Sequence, residues 1–217
     1  MLLWLKELLF PPKCILCRKL LTKDELDLCR DCRCDAPDHP QGKLKIQFLD
    51  SFAAIWYYEG KIRRSLLRYK FYGARHYAEG YGRILAMKLL REYPDGFDVL
   101  TWVPISRLRK FRRGYDQVEL LAKAVGRELG MEPQPLLKKN RNNPPQSGIV
   151  GQAKRRANVL GIYRIAENVQ VEGKRILLLD DILTTGATAG ECARVLLTAG
   201  AAEVHCAVVA AAGKNTK

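Results

Sequence analysis

The most constraining stretch of this 217-residue chain is Arg-Ile-Leu-Leu-Leu-Asp-Asp-Ile-Leu-Thr-Thr-Gly-Ala-Thr-Ala, residues 175–189. Four consecutive apolar residues, Ile176 to Leu179, read as a strand buried on both faces. The strand runs into Asp180 and Asp181, and a polar turn, Thr184-Thr185-Gly186-Ala187-Thr188, then opens a helix predicted over 187–199. A second buried-type strand follows at Val204 to Val209. Strand, helix and strand joined by short connections imply parallel strands with helices on both faces of the sheet, an α/β fold. Backbone N–H groups at a helix N-terminus attract an anion, Gly186 lets the chain approach closely, and the threonines add hydroxyl donors. Paired carboxylates at a strand end can accept hydrogen bonds from vicinal sugar hydroxyls. The segment therefore reads as a cradle for a sugar monophosphate. It is not a Walker A loop, because no G-x-x-x-x-G-K occurs.

The N-terminal part is built differently. Five of the seven cysteines fall between residues 14 and 34, as Cys14-x2-Cys17 and Cys29-x2-Cys32 with Cys34 just beyond. Two C-x2-C turns can close a tetrahedron of thiolates around zinc, with Cys34 the alternative to Cys32. Such a ribbon is expected to hold its own small core, fold with the metal, and leave the rest of the chain standing without it. Residues 35–50 hold Pro37, Pro40 and Gly42 and read as a linker. The chain thus divides into a zinc ribbon with a short N-terminal helix (1–40) and an α/β domain (41–217). Cys192 and Cys206 lie in apolar segments and read as core.

Between these signatures the pattern predicts a strand at Ser51–Tyr58, helices at 60–72 and 77–92, a strand at Val99–Val103, and a helix over Gly114–Leu129 closed by Gly130. Residues 140–158 carry two prolines, four asparagines and two glycines and read as a long loop. Lys154, Arg155 and Arg156 on that loop are candidates for a basic lid.

The chain carries 37 Lys plus Arg against 23 Asp plus Glu, a net +14. The excess is concentrated. Windows 61–75, 103–115 and 138–156 contain six, five and six cations and no acid. Such a field points to an anionic partner, a phosphate, pyrophosphate or nucleic acid. In the first window Arg64, Arg68 and Lys70 alternate with Tyr69, Phe71 and Tyr72, a mixture that suits single-stranded DNA. At least two of those three aromatics are expected in the core. No run of about 18 apolar residues occurs, so no membrane span is expected. The N-terminus lacks the basic start and small-residue cleavage site of a secretory signal, and the cytoplasm is the expected compartment.

Asp180-Asp181 with Thr184 to Thr188 resembles the phosphoribosyl-diphosphate (PRPP) signature of type I phosphoribosyltransferases. The wider pattern resembles the ComF family of competence-associated proteins. It adds the four-cysteine ribbon, Val103-Pro104 with Arg107, Arg113-Gly114-Tyr115-Asp116-Gln117 and Leu121-Ala122. It also adds Gln146-Ser147-Gly148, Arg155 or Arg156, Asn158, Val159 and Gly161. The resemblance implies a type I phosphoribosyltransferase-like parallel sheet. It seats the 5′-phosphate on Thr184, Thr185, Gly186, Ala187 and Thr188, and the ribose hydroxyls on Asp180 and Asp181. It turns Pro104, Ile105, Ser106 and Arg107 toward the pyrophosphate. Magnesium would arrive with PRPP, and Arg107, Lys154 and Arg155 are the catalytic candidates. Purine-salvage members place an acid two residues before the loop glycine; Thr184 stands there in this chain, and no general base is evident near the signature. The implied function is PRPP binding in DNA uptake and natural transformation, with single-stranded DNA and a DNA-uptake helicase as partners. The alternative is an active transferase moving phosphoribose to an unidentified acceptor. A third reading, a zinc-ribbon nucleic-acid binder on a degenerate fold, is disfavoured by the intact loop.

Overall fold

The computed structural model describes residues 11–40, 45–140, 154 and 157–213. In chain order these form α1 (Arg30–Asp35), β1 (Ser51–Tyr57), α2 (Gly60–Phe71), α3 (Tyr77–Glu92), β2 (Val99–Trp102), α4 (Arg107–Arg113) and α5 (Gln117–Leu129). They continue with β3 (Leu137–Lys139), β4 (Tyr163–Ile165), β5 (Arg175–Leu183), α6 (Ala187–Thr198) and β6 (Glu203–Ala211).

Four strands make one parallel sheet in the order β1-β6-β5-β2. The expected α/β class is what the chain adopts. The period-two geometry of a strand sorts β5 and β6 between two cores. Leu177, Leu179, Ala207 and Val209 join one cluster with α2, α3 and α5. Ile176, Leu178, Val204, Cys206 and Val208 join the other with α6 and the β3–β4 pair. Both faces are covered, which is why Ile176–Leu179 of β5 and Cys206–Ala211 of β6 are uniformly apolar. Cys192 and Cys206 are core, as read from sequence. A Cβ at Gly82 on α3 would collide with Ala124 on α5, so the absence of a side chain there sets how closely the two helices cross.

The expectation of an independent ribbon core is overturned. Ile15, Leu16, Leu28, Cys14, Cys29 and Cys32 belong to the same apolar cluster as Leu66, Tyr69, Tyr81 and Leu85 of the body. Polar contacts complete the dock. Ser65 Oγ donates to the Ile15 carbonyl, Arg68 to the Leu16 carbonyl at 2.6 Å, and Arg83 grips Asp27 through two nitrogens. A segment of about 25 residues buries too little on its own to dispense with such a surface.

The described parts of the expected linker are also packed. Asp38 bridges Trp56 antiparallel, the His39 N–H donates to the Ile55 carbonyl at 2.9 Å, and the Asp50 N–H donates to the Val204 carbonyl. Besides α1, which the sequence did not announce, two features of the α/β body escaped the sequence reading. One is α4, set off from α5 by Gly114 in the left-handed region. The other is the antiparallel pair β3–β4, whose strands of three residues are too short to show periodicity.

Candidate functional site

The carboxyl ends of β2 and β5 lie side by side, the place where open α/β sheets bind ligands. A cavity of about 720 Å3 opens there. Four elements wall it: the turn from β5 into α6, the loop from β2 into α4, the end of α2, and the β3–β4 pair.

β5 does not stop before the acid pair, as its apolar run implied, but continues through it to Leu183. Successive strand residues point to opposite sides, so the two carboxylates meet different surroundings. Asp181 is buried; its Oδ1 pairs with Lys70 Nζ of α2 at 2.8 Å and its Oδ2 accepts from Gln117 Nε2 of α5 at 2.9 Å. Gln117 in turn accepts from Arg113 at 2.7 Å, so a chain of polar contacts runs from α4 to the acid. Asp180 is half-buried, and its Oδ1 accepts the Asp181 N–H at 2.8 Å. Burial, and next the Asp181 charge, raises the Asp180 carboxyl well above the ordinary carboxylate range.

Thr184 to Thr188 all line the cavity, as the sequence reading requires. Gly186 is the N-cap of α6 in the left-handed region, φ 74°. Thr185 Oγ1 accepts the Ala187 N–H at 3.4 Å. The next N–H groups of the first turn have no acceptor within the helix and form the anion-facing end of α6. A Cβ on Gly186 would lie 2.7–3.0 Å from side-chain atoms of Ile46. The glycine therefore admits a segment of the supposed linker.

On the opposite wall Pro104 and Ile105 line the cavity. Asp116 organises this wall: it N-caps α5 through Val118 and Glu119, and accepts the Ile105 N–H at 3.3 Å. Ser106 caps α4, and Arg107 is exposed at its first residue; neither is among the lining residues. The cations of α4 that do line the cavity are Arg109, Arg112 and Arg113. Lys154 is exposed and outside the lining. Arg155, Arg156 and Gln146-Ser147-Gly148 lie outside the described residues.

Lys139 and Tyr163 close the cavity from the β3–β4 pair. Burial, then the Arg109 charge, pulls Lys139 down to about 8, and burial, then Arg113, lowers Arg109. No motif marked Arg109, Lys139 or Tyr163, and Lys70 entered only through the basic–aromatic mixture of the first window. The basic windows held the three cations without ranking them, and Tyr163 carried no signal.

The second cluster is a candidate metal site. The Sγ atoms of Cys14, Cys17, Cys29 and Cys32 lie within 4.8 Å of one another, and Cys17 and Cys29 are 3.6 Å apart. Four bonds of about 2.3 Å to one tetrahedral ion would put the sulfurs roughly 3.8 Å apart. The donor set and spacing therefore fit a metal ion. Cys34 is exposed and outside the cluster, which decides between the two alternatives in favour of Cys32.

A phosphoribosyl transferase domain is matched over residues 119–217. Competence protein ComFC of Bacillus subtilis is 32% identical over 151 residues, covering 69% of this chain and 59% of that protein. The chain is a relative of the ComF-type competence proteins. ComFC of Streptococcus pneumoniae is 29% identical over 226 residues, covering 88% of this chain and 96% of that protein. DNA utilization protein YhgH of Escherichia coli O157:H7 is 31% identical over 109 residues, covering half of this chain and 47% of that protein. The chain thus spans between about half and three fifths of the Bacillus and Escherichia relatives in these alignments. Among the described residues no helix is long and apolar enough to cross a membrane.

Proposed function

We propose that the chain binds phosphoribosyl diphosphate and serves DNA uptake in the cytoplasm; its relatives are named as competence and DNA utilization proteins. One observation carries this reading: the cavity at the carboxyl ends of β2 and β5 joins a helix N-terminus, a carboxylate pair and four arginines within about 720 Å3. The 5′-phosphate sits on Thr184 to Thr188, the ribose hydroxyls on Asp180 and Asp181, and the pyrophosphate beside Pro104 and Ile105. Magnesium comes in on the pyrophosphate, since it keeps several waters and needs few protein ligands. The four-cysteine cluster holds zinc, the usual tetrahedral thiolate metal.

Single-stranded DNA is the second ligand class of this reading. Only Tyr69 of the three aromatics in the first basic window is core; Phe71 and Tyr72 are 59% and 78% exposed, which corrects the expectation that two would be buried. Tyr72 also lines a groove of about 590 Å3 between ribbon and body, with Lys13, Arg18 and Arg68. Cations for the backbone and rings for the bases suit a single strand. A DNA-uptake helicase is the protein partner to seek by affinity capture.

Melting of the full chain with PRPP and Mg2+ tests the site. A ligand at a hundredfold excess over Kd stabilises by about 2.7 kcal/mol. For a body of this size that moves Tm by roughly 5–10 °C. Ribose 5-phosphate, lacking the pyrophosphate, should move it less. No shift with millimolar PRPP on folded protein would refute the reading.

A further inference from the structure

The β3–β4 pair sets Lys139 directly opposite Tyr163, and both side chains face the cavity. Lys139 Nζ donates to the Tyr163 hydroxyl at 3.3 Å and stands 5.2 Å from the ring centroid. No ion pair among the described residues includes Lys139. Its strongest charged neighbour is another cation, Arg109. A half-buried ammonium with no acid paired to it is costly to the folded chain, and an anion beside it relieves that cost. Asp180 also lines the cavity, and burial raises its carboxyl, which weakens it as a counter-charge. Burial raises the Tyr163 phenol, which stays protonated and able to donate. The wall therefore carries an ammonium and a phenol side by side, two donors that the oxygens of one carboxylate or phosphate can accept together. The β3–β4 pair packs against α6.

We propose that Lys139 and Tyr163, with Arg109 beside them, form a second anion subsite that seats the carboxylate or phosphate of a further ligand next to the phosphoribosyl group. This rests on the reading that the cavity binds a phosphoribosyl group. It adds that the companion molecule is an oxyanion-bearing compound rather than a neutral nucleobase.

The test uses the full chain saturated with ribose 5-phosphate and Mg2+, which occupies the phosphate and hydroxyl seats. Matched probes are then titrated: nicotinate against nicotinamide, and thymidine 5′-monophosphate against thymidine. Melting temperature and calorimetric affinity are read, with pyrophosphate as a separate arm. At least one anionic probe should bind and stabilise beyond ribose 5-phosphate, while its neutral twin does not. Lys139→Gln should weaken that probe about tenfold or more, Lys139→Arg should restore it, and Tyr163→Phe should weaken it less. Neutral twins that match their anions would overturn the proposal. So would a preference that survives Lys139→Gln. Pyrophosphate binding lost on Lys139→Gln, with no response to either organic anion, would assign the pair to the pyrophosphate seat and overturn it as well. If neither PRPP nor ribose 5-phosphate shifts the melt, the phosphoribosyl reading fails by itself. The probe pairs applied without sugar phosphate then decide the anion subsite separately, with Tyr163→Phe as the readout if Lys139→Gln does not fold.

Discussion

Removing the metal from the four-cysteine cluster should destabilise the whole described body, not the ribbon alone. The magnitude follows from what the ribbon buries. Ile15, Leu16 and Leu28 are 4%, 1% and 7% exposed and sit in the core shared with α2 and α3. At about 1.5–3 kcal/mol for each fully buried aliphatic side chain, their loss costs roughly 5–9 kcal/mol. The Arg68 and Arg83 contacts that pin the ribbon would go with them. Domains of this kind have only about 5–15 kcal/mol in total. For a chain of this size, 5 kcal/mol alone lowers Tm by roughly 10–20 °C. The assay is scanning calorimetry of the full chain, native, chelated, and carrying Cys29→Ser. Metal content is measured in parallel, and tryptophan fluorescence reports on Trp56, which is buried in that same core. The expected result is one cooperative transition displaced downward. Cys34→Ser should leave it unmoved, because Cys34 is exposed and outside the cluster. A metal-free chain whose body melts at the native temperature while only the ribbon is lost would refute the reasoning and restore the independent ribbon.

Three further outcomes follow from the site. Gly186→Val should cost about 2–6 kcal/mol, from a β-branched residue at φ 74° and from overlap with Ile46, and should abolish the PRPP-induced shift; a thermal melt showing native stability would contradict this. Asp180 binds its proton more tightly folded than unfolded, so the stability this adds is present at low pH and declines as pH rises above the ordinary carboxylate value. Accepting ribose hydroxyls as a carboxylate requires that proton to leave, so ribose 5-phosphate affinity should climb with pH over the same range. Calorimetry showing the same pH slope in Asp180→Asn would assign the effect to the phosphate instead. On the DNA surface, Phe71→Ala with Tyr72→Ala should weaken single-strand binding by about 1–3 kcal/mol per stacked base with little change in melting, since both rings are exposed. Arg64→Glu should flatten the log–log salt dependence, which is about −0.7 per phosphate contacted; a titration with unchanged slope would remove α2 from the interface.

The elements legible in the sequence are those whose signal is local. Ile176 to Leu179 announces a two-face-buried strand because nothing but flanking helices can cover it. Thr184 to Thr188 announces a cavity-lining turn into a helix because a glycine and hydroxyls stand where the helix begins. Two C-x2-C turns announce a thiolate cluster from spacing alone, and the structure gathers the four sulfurs within 4.8 Å. Long amphipathic helices such as α3 and α5 were placed to within about three residues for the same reason.

What stayed hidden depends on residues far apart in the chain. Asp181 meets Lys70, 111 positions earlier, and Gln117 only because α2 and α5 pack on the same face of the sheet. Arg109 reaches the cavity where Arg107 does not, because a seven-residue helix turns one outward and the other in. Lys139 and Tyr163 come together through a register between three-residue strands that carry no period to read. The ribbon's loss of independence is likewise tertiary: Ile15 and Leu16 are apolar in any reading, but only the dock onto α2 and α3 shows whose core they complete. Local sequence determines which backbone segments can form and which of them can face an anion. Which charges those segments confront is set by long-range packing, and from it come the upward shift of the Asp180 carboxyl and the balance of cations across the cavity.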